Sequence, residues 1–463
     1  QGGMGVAVSS WQLARSVAQA GELGVVSGTA LDGVLARRLN DGDPGGHCRR
    51  ALAHFPSQAM AERVLKKYYR PEGRAPGAPY RPHPTLTVQP TPDALDLCLT
   101  GNFVEVWLAK EGHEGVVGIN LLEKIQTATL SASLGAMLAG VDYVLMGAGV
   151  PRELPRLLTE FAAGRPASLT IEVADQTHPY AARLDPREAL GDDLPELRRP
   201  KFLAIISLPV LAGFLNRDPE IRPDGFIVEG PVAGGHSAPP RGTMVLDEAG
   251  EPIYSAKDLA DVAKMPGFGL PFWLAGDYGR PDAVAAALAA GAQGVQVGTL
   301  FAFSSDSGLA PELREGLLDG LRAGTLTVRN DPRASPTGFP FKVAAQPNTL
   351  SDADRYAARE RICDLGYLRS AVEIDGVVRY RCASEPVDMY LRKGGAEADT
   401  VGRKCLCNSL LANVGLAQVR KDGSVEPPLI TLGQELSGPT QLLAKYPDGW
   451  TAAQAVEWLL SQV

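Results

Sequence analysis

The chain has 463 residues, 45% apolar and 21% charged, the balance of an ordinary globular protein with room for a large core. A formal net charge of −8 offers no overall basic field for nucleic acid or anionic lipid. No apolar run is long enough to span a bilayer and no signal peptide is evident, while six cysteines over this length make no disulfide framework, so a reducing cytoplasm is expected.

Gln1–Ser9 is expected to be a short strand with glycines at one end, beginning without an initiator Met as though residues had been lost before it. Trp11–Ala20 has helical periodicity, and Gly24–Gly28 reads as a second strand. Leu31–Tyr69 is helical in pattern and Arg70–Pro92 is a Pro/Gly-rich loop, so about 31–110 is read as an insertion. Alternation resumes with a helix around Asn102–Lys110, a strand at Gly115–Asn120, a helix at Ala128–Ala139 and a strand at Tyr143–Gly147. Ser168–Val173 is strand-like and Asp175–Pro200 is polar and proline-bearing; about 165–200 is a second insertion, a hairpin or lid.

Phe202–Ser207, Gly225–Glu229, Pro271–Gly276 and Gly294–Gly298 complete eight parallel-type strands, the number of a (β/α)8 TIM barrel over 1–307. Residues 308–463 are expected to form a mostly helical C-terminal extension or subdomain.

Gly230-Pro-Val-Ala-Gly-Gly-His236 follows a buried strand, so glycines and a histidine stand where barrels keep their chemistry. Gly2-Gly3-Met4, Gly276-Asp277 and Gly298-Thr299 stand at other strand ends, the last two where barrels bind phosphate. Asn120 offers an amide donor and acceptor to a flat heterocycle. The combination suits a phosphorylated planar cofactor.

With Gln1-Gly-Gly-Met-Gly, Val117-Gly-Ile-Asn120, Gly-Gly-His236, Leu274-Ala-Gly276 and Val297-Gly-Thr-Leu-Phe301, the chain resembles the nitronate monooxygenase (2-nitropropane dioxygenase) family. That superfamily also holds FMN-dependent enoyl-ACP reductases and the trans-acting enoyl reductase of polyunsaturated fatty acid synthases. The resemblance runs from Gln1 to about Ser307, and Lys404-Cys-Leu-Cys-Asn408 resembles the extension of longer members.

It implies FMN at the strand ends, with Gly3 and Met4 beside Gly2 against the ring and Asn120 at its polar edge. Gly234 and Gly235 would touch the ribityl or ring region, while Gly276, Asp277, Gly298 and Thr299 would hold the phosphate. His236 would be the general base that oxidises an alkyl nitronate, with O2, to a carbonyl compound and nitrite. The alternatives are NAD(P)H-dependent reduction of an enoyl thioester or quinone, and a flavin-binding accessory protein.

Two departures bear on the substrate. Asp277 stands where the phosphate loop usually has glycine, and Ser237-Ala-Pro-Pro-Arg-Gly242 replaces the usual short loop. Arg241 could engage an anionic substrate, Lys124 a substrate or cofactor, and His178 could reach the site from a lid. His47, His54, His83 and His113 read as surface, loop or structural residues. Cys363, Cys382, Cys405 and Cys407 have spacings unlike zinc knuckles, so no metal is expected. The partners foreseen are a small-molecule substrate and further copies of this chain.

Overall fold

The computed structural model describes residues 1–463. Seven parallel strands form one sheet in sequence order: β1 (Gly24–Ser27), β2 (Val117–Leu122), β3 (Tyr143–Gly147), β4 (Lys201–Ile206), β5 (Gly225–Glu229), β6 (Phe272–Ala275) and β7 (Gly294–Gln296). Parallel neighbours require crossovers, and helices such as Gln126–Leu138, Leu154–Ala162, Pro209–Leu215 and Pro281–Ala289 supply them. The connection from β5 to β6 departs from this, with a long loop and one 3-10 segment, Val262–Phe268.

The eighth stave differs from the expected strand. Gln1–Ser9 contains turns, with Gly5 at φ 54° and Ala7 at φ 50°, so the glycine-rich run coils where a strand would continue. Its first two residues still bridge the sheet edges. The Gly2 N–H donates to the Val297 carbonyl at 2.9 Å. On the other side, the Gln1 side chain accepts from the Val25 N–H at 3.0 Å and donates to the Val25 carbonyl at 3.1 Å.

Val25, Leu145, Leu203, Ile227 and Ala275 pack together inside the ring of strands. Strand side chains alternate, so residues two positions on from an inward one also point inward, one layer higher. Ser27, Gly147, Ile205 and Glu229 stand two beyond Val25, Leu145, Leu203 and Ile227, at the C-terminal mouth.

The first insertion folds as helices Leu31–Asn40, His47–Leu52, Gln58–Tyr68 and Pro92–Lys110; the last begins ten residues before the expected Asn102, capped by Thr91. In the second, Ala167–Ile171 and Tyr180–Leu184 pair antiparallel as a hairpin. Residues 308–463 carry helices and two antiparallel strand pairs, Val328–Asp331 with Phe341–Ala344 and Ser370–Ile374 with Val377–Arg381. No helix is long and apolar enough to cross a membrane.

Candidate active site at the barrel mouth

A cleft of about 230 Å³ opens over the C-terminal ends of the strands. Gly2, Gly3, Met4, Asn120, Gly234, Gly235, His236, Gly276, Gly298 and Thr299 all line it. The glycines are there for space. A Cβ on Gly3 would lie 2.5 Å from Asn120 Cβ, and Gly276 at φ 116° has a backbone that L side chains rarely adopt.

The C-terminal extension builds the other wall. The Gly235 N–H donates to Thr431 Oγ1 at 2.9 Å, and the Lys342 N–H to the Gly235 carbonyl at 2.9 Å. Nearby, the Gly433 N–H donates to Thr299 Oγ1 at 2.7 Å. The Gly-Gly-His turn is thus held on one side by strand Phe341–Ala344 and on another by residues 431–433.

His236 is half-buried, packed edge-on against Phe341 with ring centroids 4.8 Å apart. Its Nε2 lies 2.7 Å from Ser335 Oγ, which in turn lies 2.8 Å from Thr337 Oγ1. Burial, reinforced by the charge of Lys124, lowers the imidazole to about 4. The ring is therefore neutral across the neutral pH range.

Glu229 ends β5 and faces the cleft. Burial raises its carboxyl to about 7, opposed by the charge of Lys342. Lys342 is fully buried and donates to the Pro231 carbonyl at 2.7 Å and to Ser237 Oγ at 2.6 Å. Desolvation lowers its ammonium to about 8. At the floor, Asn120 Oδ1 and Gln296 Oε1 are buried acceptors with no hydrogen-bond partner.

Four residues singled out in the sequence are not brought into the lining. Asp277 is 51% exposed and turns to Arg280, whose Nη1 lies 2.8 Å from its Oδ1. That resolves the charge conflict expected of an acid in a phosphate loop: the arginine lines the cleft and the carboxylate points away. Arg241 is exposed beside Asp258, the anchor of its own loop. His178 is exposed on the 171–180 loop of the hairpin, beside Tyr180 and Thr177. Lys124 pairs with Glu123 at 3.2 Å and lies over the Phe339 ring, at the rim rather than in the cleft.

Arg280, Glu229, Gln296, Lys342, Ser335 and the 431–433 segment were not singled out in the sequence. For Glu229 a signal existed, because strand alternation turns it inward once Ile227 is placed in the core. Cys407 lines the cleft, and no group of three or more His, Cys, Asp or Glu side chains is placed to hold a metal ion.

Fold and cleft together define a parallel β/α-barrel with a candidate site at the strand C-termini. Residues 211–332, from the helix before β5 to beyond β7, match the family model described as nitronate monooxygenase, which is in keeping with an oxidoreductase. Among solved structures, FabK from Thermotoga maritima aligns over 100% of this chain and 91% of its own, with 17% identity and a TM-score of 0.50. A nitroalkane oxidase from Streptomyces ansochromogenes aligns over 100% and 94%, with 15% identity and a TM-score of 0.45. At 17% identity the likeness to FabK bears on the fold alone. No curated protein matches the chain.

Proposed function

We propose that the chain is an FMN-dependent oxidoreductase that oxidises alkyl nitronates with O2 to a carbonyl compound and nitrite, with His236 as the base that forms the nitronate by taking the α-proton of the neutral nitroalkane. The observation that carries this reading is a neutral histidine fixed by Ser335 beside a glycine-walled cleft.

The residues present fit the cofactor. Asn120 Oδ1 and Gln296 Oε1 are unpaired acceptors suited to the N–H edge of the flavin ring. Gly2, Gly3, Met4, Gly234, Gly235, Gly276, Gly298 and Thr299 give the ring, ribityl chain and phosphate close backbone approach, and Arg280 supplies the cation for the phosphate. FMN, when bound, supplies a two-electron acceptor that O2 can reoxidise.

In the tautomer that places the proton on Nε2, towards Ser335 Oγ, the Nδ1 lone pair of His236 is free to take the α-proton of the neutral nitroalkane, which leaves the nitronate to be oxidised. The negative charge that develops on the nitro group as its α-proton leaves raises the proton affinity of the ring at the moment it is needed, and Lys124 at the rim favours that charge.

A second reading is NAD(P)H-dependent reduction of an enoyl thioester. It is favoured by an apolar wall of Leu122, Ile125, Leu368, Leu406 and Leu410, longer than a small nitronate needs. Anaerobic mixing separates the two. Bleaching of flavin absorbance by propyl nitronate alone is the expected result; bleaching by NADPH alone would replace the first reading with the second. Absence of flavin absorbance would overturn both.

The pH profile is a second test. His236 is neutral well above its value near 4, so no step is expected at the ordinary histidine value of about 6.5. A step near pH 7 is expected from Glu229, protonated below and ionised above. Glu229→Gln should remove that step from the turnover profile; a step that persists would assign it elsewhere.

A further inference from the structure

Behind the wall of the main cleft lies a second, smaller cavity of about 20 Å³, room for about one or two water-sized groups. The two share Thr29, Ala30, Leu121, Leu122, Ile125 and Tyr367, so the partition is largely apolar, with one phenol in it.

Among the polar side chains of the inner cavity, Asn102, Asp32 and Thr129 present acceptors, while the Thr29 hydroxyl and the Cys98 thiol each carry a proton. Asn102 is 1% exposed, and its Nδ2 is committed to the Cys98 carbonyl at 2.9 Å. That bond fixes the amide's orientation and leaves Oδ1 inside without a partner. Asp32 is 3% exposed, accepts the Tyr367 hydroxyl at 2.7 Å, and has no salt bridge. Thr129 spends its hydroxyl proton on the Ile125 carbonyl, which leaves only lone pairs. No Lys, Arg or His lines the cavity. Tyr367 meets one oxygen of Asp32, but the Asn102 amide oxygen is left without a partner, which is costly unless a further donor meets it.

We propose that this cavity is a subsite for a hydrogen-bond donor at the far end of the substrate, a primary ammonium in preference to a hydroxyl, with the alkyl chain lying past Tyr367 along Leu121, Leu122 and Ile125. An ammonium has the size of a water molecule and three donors, enough to engage Asn102 Oδ1, Asp32 and Thr129 Oγ1 together. A hydroxyl has one. A carboxylate end would be repelled.

The proposal rests on the functional reading only in calling the occupant a substrate; the cavity's preference is measurable without turnover. Calorimetry and melting shifts of the purified holoprotein with n-butylammonium, n-butanol and butyrate provide the test. Butylammonium should bind about tenfold more tightly than butanol, and butyrate should not bind. Asp32→Asn should weaken butylammonium about tenfold with little effect on butanol. Tyr367→Phe, which frees Asp32 from its hydroxyl, should tighten butylammonium severalfold, and it serves alone if Asp32→Asn does not fold. Equal responses to the three probes, or a preference unmoved by Tyr367→Phe, would overturn the subsite and leave a water pocket. Loss of nitronate turnover with the preference intact would instead overturn the reaction assigned to the main cleft.

Discussion

Replacing His236 with Asn should lower turnover of the neutral nitroalkane by about 10²–10⁴-fold, the usual worth of a general base, and spare that of the preformed nitronate, while flavin content stays near that of the parent. The ring has no part in the β5 ladder, and the Gly-Gly turn before it is held through backbone by Thr431 and Lys342, so the loop should keep its course without the imidazole. Ser335→Ala separates the ring's presence from its aim: the base remains but its Nε2 anchor goes, so kcat should fall with KM nearly unchanged. Stability supplies a readout independent of turnover. The folded imidazole titrates near 4 and the unfolded one near 6.5, so between those values the unfolded chain binds more protons. This contribution is complete above about 6.5 and is lost as pH falls towards 4. Melting temperature should therefore drop over that window in the parent, and less in His236→Asn. Unchanged turnover in the variant would remove His236 from the chemistry, and an identical acid limb would remove the argument from its burial.

The stretches legible in the sequence were those whose reasons are local. β2 to β6 are short, mostly apolar runs with Asn120, Gly147, Ser207, Glu229 and Gly276 at or near their C-terminal ends, and a continuous apolar run bounded by turn residues is what a strand buried on both faces looks like. Asn120 and Gly-Gly-His236 were legible because each stands within a few residues of the C-terminal end of an apolar strand, and both line the cleft. Gln1–Ser9 misled, because a run of small residues satisfies the strand pattern while Gly5 and Ala7 at positive φ turn the chain.

The residues missed come from distant parts of the chain. Ser335 reaches His236 across 99 residues of sequence, and Thr431 reaches Gly235 across 196. Lys342 is the clearest case. In Phe341-Lys-Val-Ala344 it reads as the solvent side of an alternating strand, yet it is fully buried with its Nζ on Pro231 and Ser237. Only the docking of the extension on the barrel makes an ammonium there sensible. Asp277 shows the converse: its place just beyond the end of β6 was evident, but that it turns to Arg280 was not.

Cutting the chain after residue 307 should give a product that is insoluble or unfolded and holds no flavin, although the barrel strands all precede the cut. Val8, Leu13, Val17, Val297, Leu300 and Phe301 share one core with Leu317, Leu321, Ile430, Leu432, Leu442, Trp450 and Val456 from beyond it. The seam is also polar: Trp450 Nε1 donates to the Leu300 carbonyl at 3.0 Å, and the Ala452 N–H to Asp306 Oδ2 at 2.7 Å. Each large apolar side chain returned to water costs about 1.5–3 kcal/mol. Exposing the six on the barrel side therefore costs about 10 kcal/mol or more, comparable with the whole stability of a typical domain of about 5–15 kcal/mol. The glycine turn would also lose its Thr431 and Lys342 anchors, so a barrel that did survive should still lose its cofactor. Trp450→Ala is the graded version, expected to cost about 3–5 kcal/mol and lower the melting temperature without touching the cleft. Circular dichroism and flavin content of the two proteins decide the matter. A soluble, flavin-loaded fragment 1–307 would show that the extension only decorates the barrel, whereas loss of both signals makes it part of the machinery that binds the cofactor.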